Sequence, residues 1–165
     1  DVCSSDLAPK LQAFVNDPEV NQFIATCRPF SLSQEENYIS AIQAKESDVT
    51  LGIVIKKCDS LIGSLGLFSI DLRNRHAGLG ISVGDKEHWG QGYGEEATRL
   101  LLSHAFETMN LNRIWLQVFE YNSRAIKVYE RIGFQQEGIL RQDNFRKGKY
   151  WNTIHMAILR KEWKP

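Results

Sequence analysis

Apolar positions set the first divisions of the chain. Leu7, Leu11, Phe14 and Val15 share one helical face, which predicts a helix over residues 7 to 15. Residues 1 to 6 fit a short first strand. Asn16-Asp17-Pro18-Glu19-Val20 reads as a turn, because Pro18 disfavours helix in the residue before it. Val20 to Ala25 fits a second short helix, and Pro29 breaks the chain again. Ser33-Gln34-Glu35-Glu36 then opens a helix to about Lys45, with Ser33 and Glu36 at capping-box spacing. Thr50 to Ile55 and Leu61 to Ile70 are β-branched, apolar strands joined by a polar turn at residues 56 to 60, a hairpin pattern. A turn at Asp71 to Asn74 precedes a strand from His76 to Val83.

The second half alternates more regularly. Tyr93, Ala97, Leu100, Leu101, Ala105 and Met109 recur at helical spacing, and Asn110 to Asn112 make a stop. Ile114 to Phe119 is mostly apolar and predicts a strand buried on both faces. In the next helix Ala125, Ile126, Tyr129 and Ile132 share one side, while Lys127, Glu130 and Arg131 point away. Gly133 is placed to end that helix as its C-terminal cap. Phe134 to Leu140 is a strand, Arg141 to Lys149 a polar loop, and Tyr150 to Leu159 the last strand. Strands alternating with helices imply a mixed sheet with helices on its faces, an α/β or α+β domain.

Between the strand ending at Val83 and the helix opening near Tyr93 lies Trp89-Gly90-Gln91-Gly92-Tyr93-Gly94. Glycine permits positive φ and lets a ligand approach the backbone. A helix start presents unpaired N–H groups and partial positive charge. Together these make an anion site, most naturally for a phosphate, through the amides of residues 90 to 95. The spacing is G-x-G-x-G. The dinucleotide fingerprint needs a third glycine where Glu95 stands, and the Gly-Lys-Ser/Thr of the P-loop is absent.

Composition narrows the classes. The 165 residues suffice for one domain, residues 1 to 165, with a substantial core. Net charge is zero, so no global field favours nucleic acid or an anionic membrane. Cys3, Cys27 and Cys58 are scattered and odd in number, which fits a reducing, cytoplasmic setting. His76, His88, His104 and His155 lack metal-ligand spacing, so no metal is expected. No apolar run reaches membrane-spanning length, and the chain as given carries no signal-peptide pattern.

Two motifs together carry a family resemblance. The stretch from Gly78 to Phe134 resembles the acyl-CoA-binding core of the GNAT N-acetyltransferase superfamily. Gly92 and Gly94 stand where its phosphate loop, Arg/Gln-x-x-Gly-x-Gly/Ala, requires them. Asn122 to Phe134 matches its second motif, N-x-x-A-x-x-x-Y-x-x-x-G-F. Residues 16 to 20 and Trp89-Gly90 are similar to the RimJ/RimL-like ribosomal-protein N-terminal acetyltransferases. The helix with Tyr129 is similar to the spermidine acetyltransferases. The chain departs from the pattern at two places. Trp89 stands where relatives carry Arg or Gln, and no carboxylate lies between Ala77 and Val83, where many carry a catalytic Glu.

The resemblance implies a mixed, mostly antiparallel central sheet of six to seven strands with helices on both faces. It implies acetyl-CoA as co-substrate and an amine acceptor, a peptide N-terminus or a small amine such as a polyamine, and it allows a homodimer. A non-catalytic acyl-CoA-binding or sensing domain on the same fold is the alternative of another class. The pantetheine arm would pair like a strand with Ile81, Ser82 and Val83. The pyrophosphate would lie on Trp89, Gly90, Gln91, Gly92, Tyr93, Gly94 and Glu95, with Asn122 and Ala125 also near the cofactor. Tyr129 would be the catalytic acid that protonates the leaving thiolate. His76 and Glu87 are secondary candidates for a base or water-holder, and Arg131 for a phosphate contact. Glu35 and Glu36 could attract a cationic acceptor; the cap accounts for Glu36 and leaves Glu35 without a role.

Overall fold

A computed structural model describes residues 7–26, 28–45 and 47–164. The expected strand over residues 1 to 6 lies outside them. The element order is α1 (Ala8–Asn16), α2 (Pro18–Asn21), α3 (Leu32–Gln43), β1 (Val49–Ile55), β2 (Ser60–Asp71), β3 (His76–Val83), α4 (Tyr93–Ser103), β4 (Arg113–Phe119), α5 (Ser123–Ile132), β5 (Gln135–Arg146) and β6 (Lys149–Leu159). The strands form one six-stranded sheet in the order β1-β2-β3-β4-β6-β5. β1 with β2, β4 with β6 and β5 with β6 are antiparallel. β3 and β4 run parallel, through His76↔Arg113, Ala77↔Ile114 and Gly78↔Trp115. β3 therefore continues from Leu79 to Val83 past its last rung with β4.

The chain divides into two compact units, interleaved in sequence. One holds the residues up to Phe68 together with Gly80–Gly94; the other holds Ser69–Leu79 and the residues from Glu95 on.

In the first unit, Pro18 opens a helix instead of only breaking one. It occupies the first turn of α2, where its missing N–H costs nothing, and Asp17 caps the helix by accepting from the Glu19 amide at 2.8 Å. The cap of α3 also lies elsewhere than expected. Ser31, not Ser33, accepts from the Gln34 amide, and Gln34 Oε1 accepts from the Ser31 amide. Gln34 has the same geometry available as Glu at the third helical position, so spacing alone could not choose between the two serines. Glu36 is left exposed. Asn16 holds the approach to α3: its Nδ2 donates to the Phe30 carbonyl and its Oδ1 accepts from the Phe30 amide, both at 2.8 Å. Gly63 lets β2 pass beside Ser82 and Val83 of β3; a Cβ there would strike the Ser82 carbonyl.

In the second unit the core gathers Leu101, Leu102, Phe106, Ile114, Leu116 and Ile158. β4 buries Ile114, Leu116 and Val118 on one face; on the other, Arg113, Trp115 and Phe119 are half-buried and Gln117 is exposed, so that face is only partly covered. Trp115 and Phe119 made the stretch read as apolar throughout. α4 does not carry the regular period through to Met109. From His104 to Thr108 it widens into a π turn, closed by the Met109 amide on the His104 carbonyl at 3.0 Å. Leu100 falls off the packed stripe and is 68% exposed. β5 runs through the expected polar loop to Arg146, pairing Asn144, Phe145 and Arg146 with Trp151, Tyr150 and Lys149. An edge strand carries polar side chains readily, which hides it from a hydrophobicity pattern.

Candidate active site

The glycine loop is built by its neighbours in the first unit. The amides of Gly84 and Asp85 donate to the Ile62 carbonyl at 2.9 and 3.0 Å, fixing where the chain leaves β3. A single 3₁₀ turn, Lys86–His88, follows. Trp89 then donates its indole N–H to the Val83 carbonyl at 2.7 Å and packs edge-on against Phe23. The residue that departs from the family pattern thus clamps the loop to the strand that precedes it. Gln91 Nε2 donates to the Glu87 carbonyl at 2.6 Å. Tyr93 sets its ring edge-on to His88.

Gly90 and Gly92 have φ of 75° and 90°, and no heavy atom lies within 4 Å of where a Cβ would stand on either. The left-handed backbone favours glycine at both places. The space beside them is open, immediately before the helix start at Tyr93. Gly94 differs: a Cβ there would make ordinary contacts with Val83 and Ile81, at 3.5 and 3.9 Å. Ile81, Ser82 and Val83 are half-buried on the part of β3 beyond the parallel ladder.

The other expected site residues lie in the second unit. Glu95 sits in the first turn of α4 and takes Arg131 Nη2 at 2.8 Å and Arg99 Nη2 at 3.1 Å. The Arg131 hydrogen bond first, and Arg99 after it, hold its carboxyl below the usual range. This contribution is present above the ordinary carboxylate pKa and is lost as pH falls through the depressed one. Arg131 is therefore an ion-pair partner that joins α5 to α4, not an unattached surface charge. Asn122 caps α5, its Oδ1 accepting from the Ala125 amide at 3.2 Å. Gly133 closes the helix at φ 114°, with its own amide and that of Phe134 both donating to the Tyr129 carbonyl.

Tyr129 meets Phe134 edge-on at 5.7 Å between centroids. Burial pushes its hydroxyl up to about 12, so the proton stays on at physiological pH. A phenol that keeps its proton can donate a hydrogen bond to an anion placed beside it. His76 lies 3.8 Å from Asp71 and has a buried Nδ1 without a hydrogen-bond partner. Glu87 is exposed at the surface. Among the described residues no group of His, Cys, Asp or Glu could hold a metal ion.

One charged residue is placed where the sequence left it unassigned. Glu35 of α3 is 4% exposed, and burial raises its carboxyl above the ordinary value. The signal was present: Glu35, Ile39 and Ile42 share a helical face, so a carboxylate begins an otherwise apolar stripe.

Comparison with known proteins gives the family. Residues 2–135 match the acetyltransferase (GNAT) domain model. The uncharacterized N-acetyltransferase p20 of Bacillus licheniformis is 32% identical over 164 residues, 94% of this chain and 89% of that protein. The putative ribosomal N-acetyltransferase YdaF of Bacillus subtilis is 35% identical over 104 residues, 63% of this chain and 56% of that one. The spermidine N-acetyltransferase of Vibrio cholerae, solved with CoA and spermine, has the same fold, with a TM-score of 0.88, 23% identity, and coverage of 98% of this chain and 95% of that one. With the family model covering most of the chain and a near full-length relative beside it, the chain belongs to the GNAT acetyltransferase family and is an N-acetyltransferase.

Proposed function

We propose that the protein moves an acetyl group from acetyl-CoA to a primary amine by direct attack within a ternary complex, with a peptide N-terminal amine as the favoured acceptor. The glycine loop carries this reading: two positive-φ glycines border open space at the start of α4. Its amides suit a pyrophosphate. The stretch Ile81–Val83 suits strand-like pairing with the pantetheine arm, which aims the thioester. The acceptor nitrogen attacks the thioester carbon; the C–S bond breaks as the C–N bond forms. Tyr129 supports the leaving thiolate, which takes up a proton while the new amide loses one.

The acceptor follows from charge. β3 carries no carboxylate from Ala77 to Val83 to serve as base. Neutralising an alkylamine at pKa ~10.4 costs about 4.6 kcal/mol at pH 7, against roughly 1.1 kcal/mol for an α-amine near 7.8. The likeness to one relative named a putative ribosomal N-acetyltransferase supports the same choice. A polyamine acceptor is the second reading, supported by relatives named spermidine N(1)-acetyltransferases. The test is release of free thiol from acetyl-CoA by purified protein with a panel of peptides and small amines. Amine-dependent release, with the N-acetylated product in the mass spectrum, is expected. Tight acetyl-CoA binding with no release for any amine would leave only a binding domain.

A further inference from the structure

We propose that Arg75 and Arg160 hold an oxyanion, a phosphate group in particular, at the end of the sheet where β3 and β4 begin. The two side chains converge on one atom. Arg75 Nη2 and Arg160 Nη1 each donate to Asn110 Oδ1 at 2.7 Å, so the two guanidinium groups stand close together across a neutral oxygen. Like charges so placed repel unless an anion joins them. Among the described residues no carboxylate forms an ion pair with either. The acidic side chains on the flanking segments are engaged elsewhere: Asp71 accepts from the Asn74 amide at 2.7 Å, Glu107 from Ser103 at 2.9 Å and Glu162 from the Leu159 amide at 2.9 Å. Capping explains one of the two arginines. Arg75 Nε donates to the Asn110 carbonyl at 2.7 Å, just past the π turn that follows α4. The Arg160 side chain reaches no main-chain carbonyl among the described residues and adds a second charge.

The main chain builds this corner within one unit. The Arg75 carbonyl accepts from the Asn112 and Arg113 amides at 2.7 and 3.2 Å, and the Arg160 amide donates to the Asn112 carbonyl at 2.9 Å. The turn between β2 and β3, the loop before β4 and the segment after β6 are thereby tied together, so both arginines start from fixed positions. Arg75 and Asn110 each have a left-handed φ, 58° and 56°. Asparagine takes that conformation readily; arginine rarely does, and holding it there gives up stability to aim the side chain. Arg75 is half-buried and Arg160 exposed, so solvent reaches the pair. Arg75 Nη1 and Arg160 Nε and Nη2 take no part in the Asn110 bonds and remain to donate. Two planar forks carrying two positive charges match the several oxygens and double charge of a phosphate. The glycine loop follows the other end of β3, so this is a second anion site and not the one proposed for the pyrophosphate.

Calorimetry at constant ionic strength tests this without turnover. Inorganic phosphate and glycerol phosphate are titrated into wild type, Arg160→Gln and Arg160→Lys, with chloride as the background anion. Wild type is expected to bind phosphate, and R160Q to bind it roughly tenfold or more weakly, a change of about 1.4 kcal/mol. R160K should keep part of the affinity, since lysine supplies the charge without the fork. Acetyl-CoA affinity should be equal in all three. Tighter binding of glycerol phosphate assigns the site to a phosphorylated molecule; equal or weaker binding assigns it to free phosphate. Equal phosphate affinity in wild type and R160Q, or no phosphate binding to wild type, overturns the inference. A parallel loss of acetyl-CoA affinity in R160Q also overturns it, since the anion would then belong to the cofactor.

Discussion

At the scale of single residues, two ionisable groups are held away from their ordinary behaviour by burial, with opposite consequences. Tyr129 keeps its proton, as a donor must. Tyr129→Phe retains the ring and its contact with Phe134 while removing the hydroxyl. We expect turnover to fall by ~100-fold or more with acetyl-CoA affinity unchanged. With the hydroxyl at about 12, no loss of activity from this group is expected up to pH 9. Normal turnover in the variant would make Tyr129 a packing residue. Glu35 carries the other consequence. Its folded-state pKa is raised, so below the ordinary carboxylate value it costs nothing, and as pH rises the unfolded chain ionises first and stability falls. E35Q should therefore melt a few degrees above wild type at pH 7, with the gap closing toward pH 4. A gap that widened at low pH would contradict the sign. These residues also show what was legible. The Asn122 to Phe134 motif located Tyr129, because a helical motif fixes both spacing and face. Glu35 was not assigned, because a sequence does not state that a carboxylate on a helix stripe is buried.

At the scale of elements, the glycine loop separates positions that the motif treats alike. Gly92 needs its positive φ and borders open space, whereas Gly94 could carry a methyl at ordinary contact distances from Val83 and Ile81. Gly92→Val should weaken acetyl-CoA binding well over tenfold, about 1.4 kcal/mol or more, and Gly94→Ala should weaken it much less. Calorimetry giving equal losses, or none for Gly92→Val, would remove the phosphates from this loop. Trp89→Phe should loosen the same loop, since the indole bond to the Val83 carbonyl would be lost. The period of apolar residues located the helices and most strands. It failed where another constraint ruled. The π turn after α4 interrupts the period. The polar end of β5 is specified by cross-strand pairing with β6, not by its own side chains. Pro18 marks a break and a helix start equally well until Asp17 is seen to cap.

At the scale of the whole molecule, the strand order has a single short parallel ladder between β3 and β4 among the pairings described, and the end of β3 and the glycine loop continue beyond it, where we propose the thioester cofactor binds. The family and its acetyl transfer were legible because two motifs stood at the right separation in the right strand order. The acceptor was not, because no compact motif encodes it; the proposed acceptor is the nitrogen easiest to present uncharged. The most direct measurement is kcat/KM for short peptides against spermidine between pH 6.5 and 9. The account predicts that peptides lead at pH 7, and that spermidine gains with rising pH as its amines lose their protons. A strong preference for spermidine already at pH 7 would contradict it, and would require a base elsewhere than β3.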